Sequence, residues 1–160
     1  MTPIGPLTPD RLARIVALNN ADAEALSPLD ADRLGHLLDQ AFWTARVGDV
    51  DGFVLTFDET ANYDSPNYRW FRARHDRFVY IDRVVVAAAA RGRGHARQLY
   101  QGVLTAAIAA GHTTIAAEVN CVPPNPASDA FHAAFGFQEA GRAAIHGGAK
   151  TVRYLARAVA

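Results

Sequence analysis

The chain has 160 residues, and 16 Lys and Arg balance 16 Asp and Glu, so its formal net charge is zero. Half of the residues are hydrophobic, which is typical of a globular protein, and the length suits a single domain over residues 1–160. The neutral charge balance gives no electrostatic reason to expect nucleic acid or a membrane surface as a partner. Without an export signal or an apolar run of membrane-spanning length, the sequence predicts a cytoplasmic protein.

Cysteine and histidine usage argues against a metal site. The single cysteine, Cys121, excludes an internal disulfide and a thiolate-rich zinc site. The six histidines are scattered, and none belongs to a paired ligand motif such as H-E-x-x-H. We therefore expect no bound metal.

Capping residues followed by proline mark helix starts, because a side-chain oxygen at the N-cap and a proline at the first helical position both favour initiation. Four such pairs occur: Thr8-Pro9, Ser27-Pro28, Ser65-Pro66 and Asn125-Pro126. In the N-terminal half, the pattern predicts two helices, a hairpin of two strands and a short third helix. Their predicted ranges are 9–20 and 28–40 for the first helices, 42–47 and 52–57 for the hairpin, and 66–75 for the third helix.

The C-terminal half alternates strands with helices. Predicted strands cover 78–86, 113–119, 137–141 and 151–159, and predicted helices cover 94–110 and 126–135. In the first of these strands, the period of two places Tyr80, Asp82, Val84 and Val86 on one face, so Arg83 is expected to be unable to pair with Asp82. This mixture of elements predicts one α/β (α+β) layer domain.

A glycine-rich turn, Arg91-Gly92-Arg93-Gly94-His95-Ala96, lies between that strand and the longest helix. Glycines let successive N–H groups point into one concavity, and the following helix adds its free N-terminal donors, so the segment predicts a phosphate cradle. This turn lacks the Lys-Ser or Lys-Thr pair of a nucleotide-hydrolase P-loop, and it lacks the third glycine of a dinucleotide-binding fingerprint. Both of those alternatives are weak.

A third interpretation fits better. Val84-Val85-Val86 followed by Arg91, Gly94 and Ala96 resembles the Q/R-x-x-G-x-G/A acyl-CoA signature of the GNAT superfamily of N-acetyltransferases. Downstream, Asn125-Pro126-Ala127-Ser128 and then Phe135-Gly136-Phe137 match the order and spacing of a second family pattern. The resemblance covers residues 78–160. Within the superfamily, the segments Asp82–Val86, Glu118–Asn120 and Pro123–Pro126 resemble a bacterial subgroup of predicted acetyltransferases. Residues 1–77 carry no family motif.

The resemblance implies a fold and a co-substrate. We expect a twisted, mixed but mostly antiparallel sheet that is splayed between two central strands, with helices on both faces. The gap between the strands would admit acetyl-CoA, with a backbone N–H of the first strand as an oxyanion donor. The implied cofactor-binding residues are Val84, Val85, Val86, Arg91, Gly92, Arg93, Gly94, His95, Ala96, Asn125 and Ser128.

Three side chains are candidates for catalysis. Glu118 resembles the strand-end glutamate of some relatives that acetylate protein N-termini, and it is a candidate general base; its alternative is an ion-paired strand residue. Asp82 is the rival, either facing the substrate or buried in a salt bridge. His132 takes the place of a tyrosine general acid in many relatives; its alternative is a structural histidine bonded to a carbonyl.

The acceptor is predicted to be a small-molecule amine or a peptide N-terminus. Asn120 and the aromatic residues Tyr63, Tyr68 and Trp70 are candidates for the substrate wall, although the aromatic residues equally suit a core. The leading hypothesis is therefore acetyl transfer from acetyl-CoA to a primary amine, and the alternative is an acyl-CoA-binding sensor without turnover. A homodimer is also expected, with the last strand near Arg153 pairing between subunits.

Overall fold

A computed structural model of the chain describes residues 2–3, 8–21 and 26–159. One seven-stranded sheet has the order β1-β2-β3-β4-β5-β7-β6. The strands are β1 Thr2–Pro3, β2 Trp43–Val47, β3 Gly52–Asp58, β4 Val79–Val86, β5 Thr114–Val122, β6 Gln138–Ile145 and β7 Lys150–Ala158. The α-helices are α1 Pro9–Asn20, α2 Ala31–Gln40, α3 Pro66–Arg72, α4 His95–Ala109 and α5 Pro126–Ala134. Of the helices that these residues form, none has the length and apolarity needed to cross a bilayer.

Side-chain caps begin the helices, and three of the four predicted starts are confirmed. Thr8, Ser65 and Asn125 each accept a hydrogen bond from a backbone N–H in the first turn of the helix that follows. The start at Ser27-Pro28 is wrong, because α2 begins three residues later with Asp30 as its cap. The Asp30 carboxylate accepts from the Arg33 N–H at 2.7 Å.

Helices cover both faces of the sheet, as expected. On one face, the first three helices bury residues such as Ile15, Leu34 and Phe71 against the sheet. On the other face, α4 buries Leu99 and Val103 against the sheet, and Phe131 of α5 packs against the same core. The two layers enclose two apolar cores that together stabilise the central strands.

The two central strands part, which confirms the predicted splay. Strands β4 and β5 run parallel and pair only at Val79–Ile115 and Tyr80–Ala116. Beyond those pairs, β4 stays bonded to β3 and β5 stays bonded to β7, so the two central strands follow different neighbours. A gap therefore opens between the C-terminal ends of β4 and β5.

A β-bulge at Asp82 alters the face pattern of β4. Leu55 of β3 pairs with Arg83, but the next residue, Thr56, pairs with Ile81, so Asp82 is the extra residue. The prediction that Tyr80, Asp82 and Val84 share one face is therefore wrong. Tyr80 packs in the core under the first three helices, whereas Val84 packs on the opposite side of the sheet.

Strand β7 lies inside the sheet, between β5 and β6. Its residues pair on both sides, for example Arg153 with Val119 and with Arg142. The prediction that this strand pairs between subunits is therefore wrong, since neither of its edges is open.

Candidate functional site

Two cavities meet at the gap between β4 and β5. A narrow cleft of about 140 Å³ lies between the parted strands and is bounded by α4 and α5 residues. A wider pocket of about 590 Å³ opens on the side of the α1–α2 and β6–β7 connections. Asp82, Glu118 and Asn120 line both cavities. The structure therefore brings three of the predicted site residues to the junction of the two spaces.

Glu118 lies at this junction on β5. Its Oε2 accepts a hydrogen bond from the Tyr80 hydroxyl at 2.7 Å. The Asn67 amide also bonds it, and the Asn67 oxygen in turn accepts from the Tyr154 hydroxyl at 2.9 Å. Burial raises the pKa of the Glu118 carboxyl to about 8, although the Tyr80 hydrogen bond opposes that rise. A carboxyl with this pKa exchanges its proton near neutral pH, as a general base requires.

Asp82 is already fully engaged. Its Oδ1 accepts from the Tyr63 hydroxyl at 2.9 Å, and its Oδ2 lies 3.0 Å from Arg83 Nε. The expectation that Arg83 cannot pair with Asp82 is wrong, because the bulge brings the two neighbouring side chains together. Burial raises the pKa of Asp82, while the Arg83 charge and the Tyr63 hydrogen bond act against the rise. This ion pair favours a structural role for Asp82.

Arg83 also fixes one wall of the wide pocket. Its guanidinium donates to the Asn19 side chain at 3.0 Å, and to the carbonyl and hydroxyl oxygens of Ser27 at 2.7 and 2.8 Å. Leu26, Ser27 and Pro28 line the pocket, so this buried arginine ties the connection before α2 to β4.

His132 is buried on α5 and forms part of the cleft wall. Its Nδ1 lies 2.7 Å from the Ser128 carbonyl oxygen, which only accepts, so Nδ1 carries the proton. Its Nε2 lies 2.6 Å from the Tyr100 hydroxyl. Burial lowers the pKa of the imidazole, so the ring is neutral at neutral pH and Nε2 accepts. With its one N–H directed at Ser128, the arrangement favours the alternative for His132, a structural histidine bonded to a carbonyl, over the role of proton donor.

The glycine-rich turn has the features of an anion cradle. Gly92 and Gly94 both have φ of +79°, and a Cβ built at either would meet nothing within 4 Å. In the described part of the chain, two backbone hydrogen bonds flank this turn: the Arg91 N–H donates to the Ala88 carbonyl, and the Gln98 N–H donates to the Gly94 carbonyl. The N–H groups between them are left without a protein acceptor. These backbone N–H groups offer unsatisfied donors to a phosphate group, and His95 Nε2 beside them is also buried without a hydrogen-bond partner.

Asn125 and Ser128 occupy the start of α5 beside the cleft. The Asn125 side-chain oxygen accepts from the Ser128 N–H at 3.3 Å and caps the helix. The Ser128 hydroxyl lies 3.3 Å from His132 Nδ1. The capping role leaves the Asn125 side-chain NH2 available to a ligand in the cleft.

The predicted aromatic wall divides between pocket and core. Tyr63 lines the wide pocket, whereas Tyr68 and Trp70 are absent from its lining. The Tyr68 side chain is buried, and its hydroxyl donates to the Asp58 and Ala61 carbonyls. Trp70 stacks on Tyr154 with ring centroids 4.3 Å apart. Both residues stabilise the packing of α3, which favours the core alternative for Tyr68 and Trp70 over the substrate wall.

Several residues of the site were missed in the sequence. Tyr80, Tyr100, Asn67 and Arg83 all bond predicted site residues. Tyr80 lies two positions before Asp82 on a predicted strand, and this spacing could have identified Tyr80 as a candidate site residue. Nothing local distinguishes the other three, because the fold alone brings them to the site.

Comparison with known proteins identifies the family. A profile of the acetyltransferase (GNAT) family matches residues 19–137, more than half of the chain. Similar solved structures include Arabidopsis thaliana NAA60 in complex with acetyl-CoA (15% identity, 97% of each chain covered, TM-score 0.71). Another is the ribosomal-protein-alanine N-acetyltransferase of Brucella melitensis (20% identity, 96% of this chain and 97% of that chain, TM-score 0.71).

The Escherichia coli ribosomal-protein-S18-alanine N-acetyltransferase is also similar (15% identity, 98% of this chain and 92% of that chain, TM-score 0.67). No sequence among the curated proteins matches this chain. The structural likeness extends over nearly the whole chain, and the family profile covers both the parted strands and the glycine-rich turn. The chain therefore belongs to the GNAT family of acetyltransferases.

Proposed function

We propose that this protein transfers an acetyl group from acetyl-CoA to a primary amine by direct attack of the amine on the thioester. The observation that carries the proposal is the junction of the two cavities at Glu118. The cleft lies where β4 and β5 are no longer paired, and we infer that the pantetheine arm binds along this open strand edge. The wider pocket gives an amine access to the same point from the opposite side.

The residues for holding acetyl-CoA are those of the strand end, the turn and the start of α5. Unpaired N–H groups of 92–96, together with Arg91 and Arg93, are suited to the pyrophosphate. When bound, acetyl-CoA supplies a thioester carbonyl that an amine can attack. A free N–H in the Val84–Val86 segment would donate to the carbonyl oxygen as negative charge develops there. Asn125 and Ser128 would bond polar groups of the arm.

Glu118 takes the proton that the amine loses. An ammonium group with a pKa of about 8 to 10 must become neutral before it attacks. Because the pKa of Glu118 is about 8, proton transfer from such an ammonium to the Glu118 carboxylate is nearly balanced in free energy. The N–C bond then forms, the C–S bond breaks, and the sulfur leaves with the bonding pair. The second proton that the nitrogen loses as it becomes an amide passes through solvent to the leaving thiolate. Asn120, which lines both cavities, is placed to orient the amine.

The leaving thiolate needs little assistance, since an ordinary thiol has a pKa of about 8.5 and solvent can supply its proton. We assign His132 a positioning role in place of proton donation. Its Nε2 holds the Tyr100 hydroxyl against the cleft, and its Nδ1–H is anchored on Ser128. Asp82 holds Tyr63 and Arg83 in place on the amine side.

The test is thiol release from acetyl-CoA in the presence of a panel of primary amines and short peptides with free N-termini. The expected kcat/KM rises with pH through a limb near pH 8, where Glu118 loses its proton. Glu118→Gln, which is close in size and cannot act as a base, is expected to lower kcat and to leave only the limb set by the pKa of the amine itself, which for a lysine-type amine lies at about pH 10. Glu139→Gln is the matched control, because Glu139 is exposed on β6. An unchanged limb in Glu118→Gln would refute the assignment.

The alternative function, an acyl-CoA-binding sensor without turnover, predicts a different result in the same experiment. It predicts tight CoA binding with no thiol release for any amine in the panel. Release without a dependence on an added amine would instead indicate hydrolysis of the thioester. The expected homodimer, the cytoplasmic location and the single-domain organisation stay predictions, and none of them enters this mechanism.

A further inference from the structure

A second cluster of ionisable side chains lies at the other end of the central strands, where β4 and β5 are still paired. Asp58 ends β3, Glu59 follows it, and His112 precedes β5. One donor atom from each of the three lies within 4.8 Å of the others. The reaction proposed above uses none of these residues.

His112 is the unusual member of this cluster. The residue is only 5% exposed, and its Nδ1 has no hydrogen-bond partner. That nitrogen nevertheless lies 3.4 Å from Glu59 Oε2, and the ring Nε2 lies 3.9 Å from Asp58 Oδ2. Nδ1 and Oε2 are thus in contact without the alignment that a hydrogen bond needs. A buried nitrogen left without a partner is costly, so the arrangement needs an explanation.

Two side chains that bind the same metal ion have donor atoms that lie this close together without a hydrogen bond between them. Metal–ligand distances of about 2.0–2.1 Å in a tetrahedral site place neighbouring donor atoms about 3.3–3.4 Å apart. The observed separation of 3.4 Å between Nδ1 and Oε2 matches such an edge. In a metal site the two donors direct their lone pairs at the ion and not at each other, which accounts for the missing alignment.

The charges of the cluster also favour a cation. Both carboxylates are partly exposed, with 18% and 22% of their side-chain surface accessible, so an ion has a route inward. One cation already lies nearby, since Arg77 Nε is 3.5 Å from Oε1 of Glu59, whereas the contact with His112 is made by Oε2. The two carboxylates outnumber this one guanidinium, so a cation entering the cluster meets an excess of acidic side chains.

We propose that Asp58, Glu59 and His112 bind a divalent transition-metal ion of the zinc type. Imidazole nitrogen with carboxylate oxygen is a donor set that zinc accepts, and three protein ligands leave one position for water. The ion would join the end of β3 to the segment before β5. Only two residue pairs hold β4 to β5 at this closed end of the gap. The proposed role is therefore structural, and it is independent of the acetyl transfer proposed above.

The test is calorimetric titration of the full chain, freed of metal by a chelator, with ZnCl2. One zinc ion is expected to bind per chain and to raise the midpoint of thermal unfolding. Glu59→Gln, which preserves size and an acceptor for the Phe78 N–H, is expected to weaken zinc binding at least about 10-fold. Glu139→Gln is the matched control, because Glu139 also pairs with an arginine, and it is expected to leave zinc binding unchanged.

A second pair of variants tests the histidine. His112→Asn is expected to abolish the thermal shift caused by zinc, whereas His36→Asn, at an exposed position on α2, is expected to retain it. Mg²⁺ prefers all-oxygen ligands, so it is expected to bind more weakly than Zn²⁺. Three results would overturn the proposal: no zinc binding by the wild-type chain, equal zinc binding in Glu59→Gln and Glu139→Gln, or equal affinity for Mg²⁺ and Zn²⁺.

Discussion

Removing the hydroxyl of Tyr80 is the sharpest perturbation of the proposed base. In Tyr80→Phe, the only lost atom is the one that donates to Glu118 Oε2 at 2.7 Å. A hydrogen bond to a charged group is worth about 1.5–3 kcal/mol. At 1.36 kcal/mol per pH unit, its loss moves the limb of kcat/KM from near pH 8 to between about pH 9 and 10. The ionised fraction of Glu118 at pH 7 then falls about 10- to 100-fold.

The assay is the pH dependence of kcat/KM for thiol release, with the amine that reacts best. Tyr68→Phe is the matched control, because it removes the same atom from a buried tyrosine that bonds only backbone carbonyls. We expect it to reduce the free energy of unfolding and to leave the limb near pH 8. A limb that stays in place in Tyr80→Phe, or moves to lower pH, would show that Glu118 is not the group that titrates.

The other predictions concern the cradle, the pocket wall and the buried carboxyl. Gly94→Glu places a negative charge in the cradle, and we expect CoA to bind about 100-fold more weakly by calorimetry; Gly147→Glu, with a similar positive φ in another turn, should bind normally. Arg83→Met should lower the free energy of unfolding by about 3–5 kcal/mol in urea, and Arg83→Lys should not restore it, because an ammonium cannot make the same four hydrogen bonds. For Glu118, the folded pKa of about 8 lies above the ordinary 4.5. Between pH 4.5 and pH 8, Glu118 loses its proton in the unfolded chain but keeps it in the folded one. The free energy of unfolding of the wild-type chain should therefore fall by roughly 4–5 kcal/mol as the pH rises through this range. In urea titrations at several pH values, Glu118→Gln should lack this fall.

Local sequence signals predicted the elements that depend on local interactions. Helix α5 begins at the predicted Asn125-Pro126 pair, and the Arg91–Ala96 turn separates a strand from the longest helix as expected. The start of α2 was misplaced because Ser27-Pro28 and Asp30 are both good caps. The hydrogen bonds from Arg83 to Ser27 occupy that serine, and this tertiary contact has no local trace in the sequence.

Features that depend on partners distant in the chain were not predictable. The run from Val79 to Val86 is rich in β-branched residues, and no glycine or proline marks the bulge at Asp82. Glu118 was proposed as the base from a resemblance, but its raised pKa comes from burial that only the fold creates. In the proposed zinc cluster, His112 lies more than 50 positions from Asp58 and Glu59 in the sequence, so no short ligand motif connects the three residues.

The point at which β4 and β5 stop pairing accounts for both the cavity and the base. If their parallel register continued beyond Tyr80 and Ala116, Asp82 would lie opposite Glu118, and backbone hydrogen bonds would fill the cleft. Because the strands part there, the edge of β4 is left open to a ligand. Glu118 then lies at the fork, where Tyr80 and the surrounding core exclude water from its carboxyl while the wide pocket still reaches it. The raised pKa and the access of an amine thus have the same structural cause, which is the end of pairing between two strands.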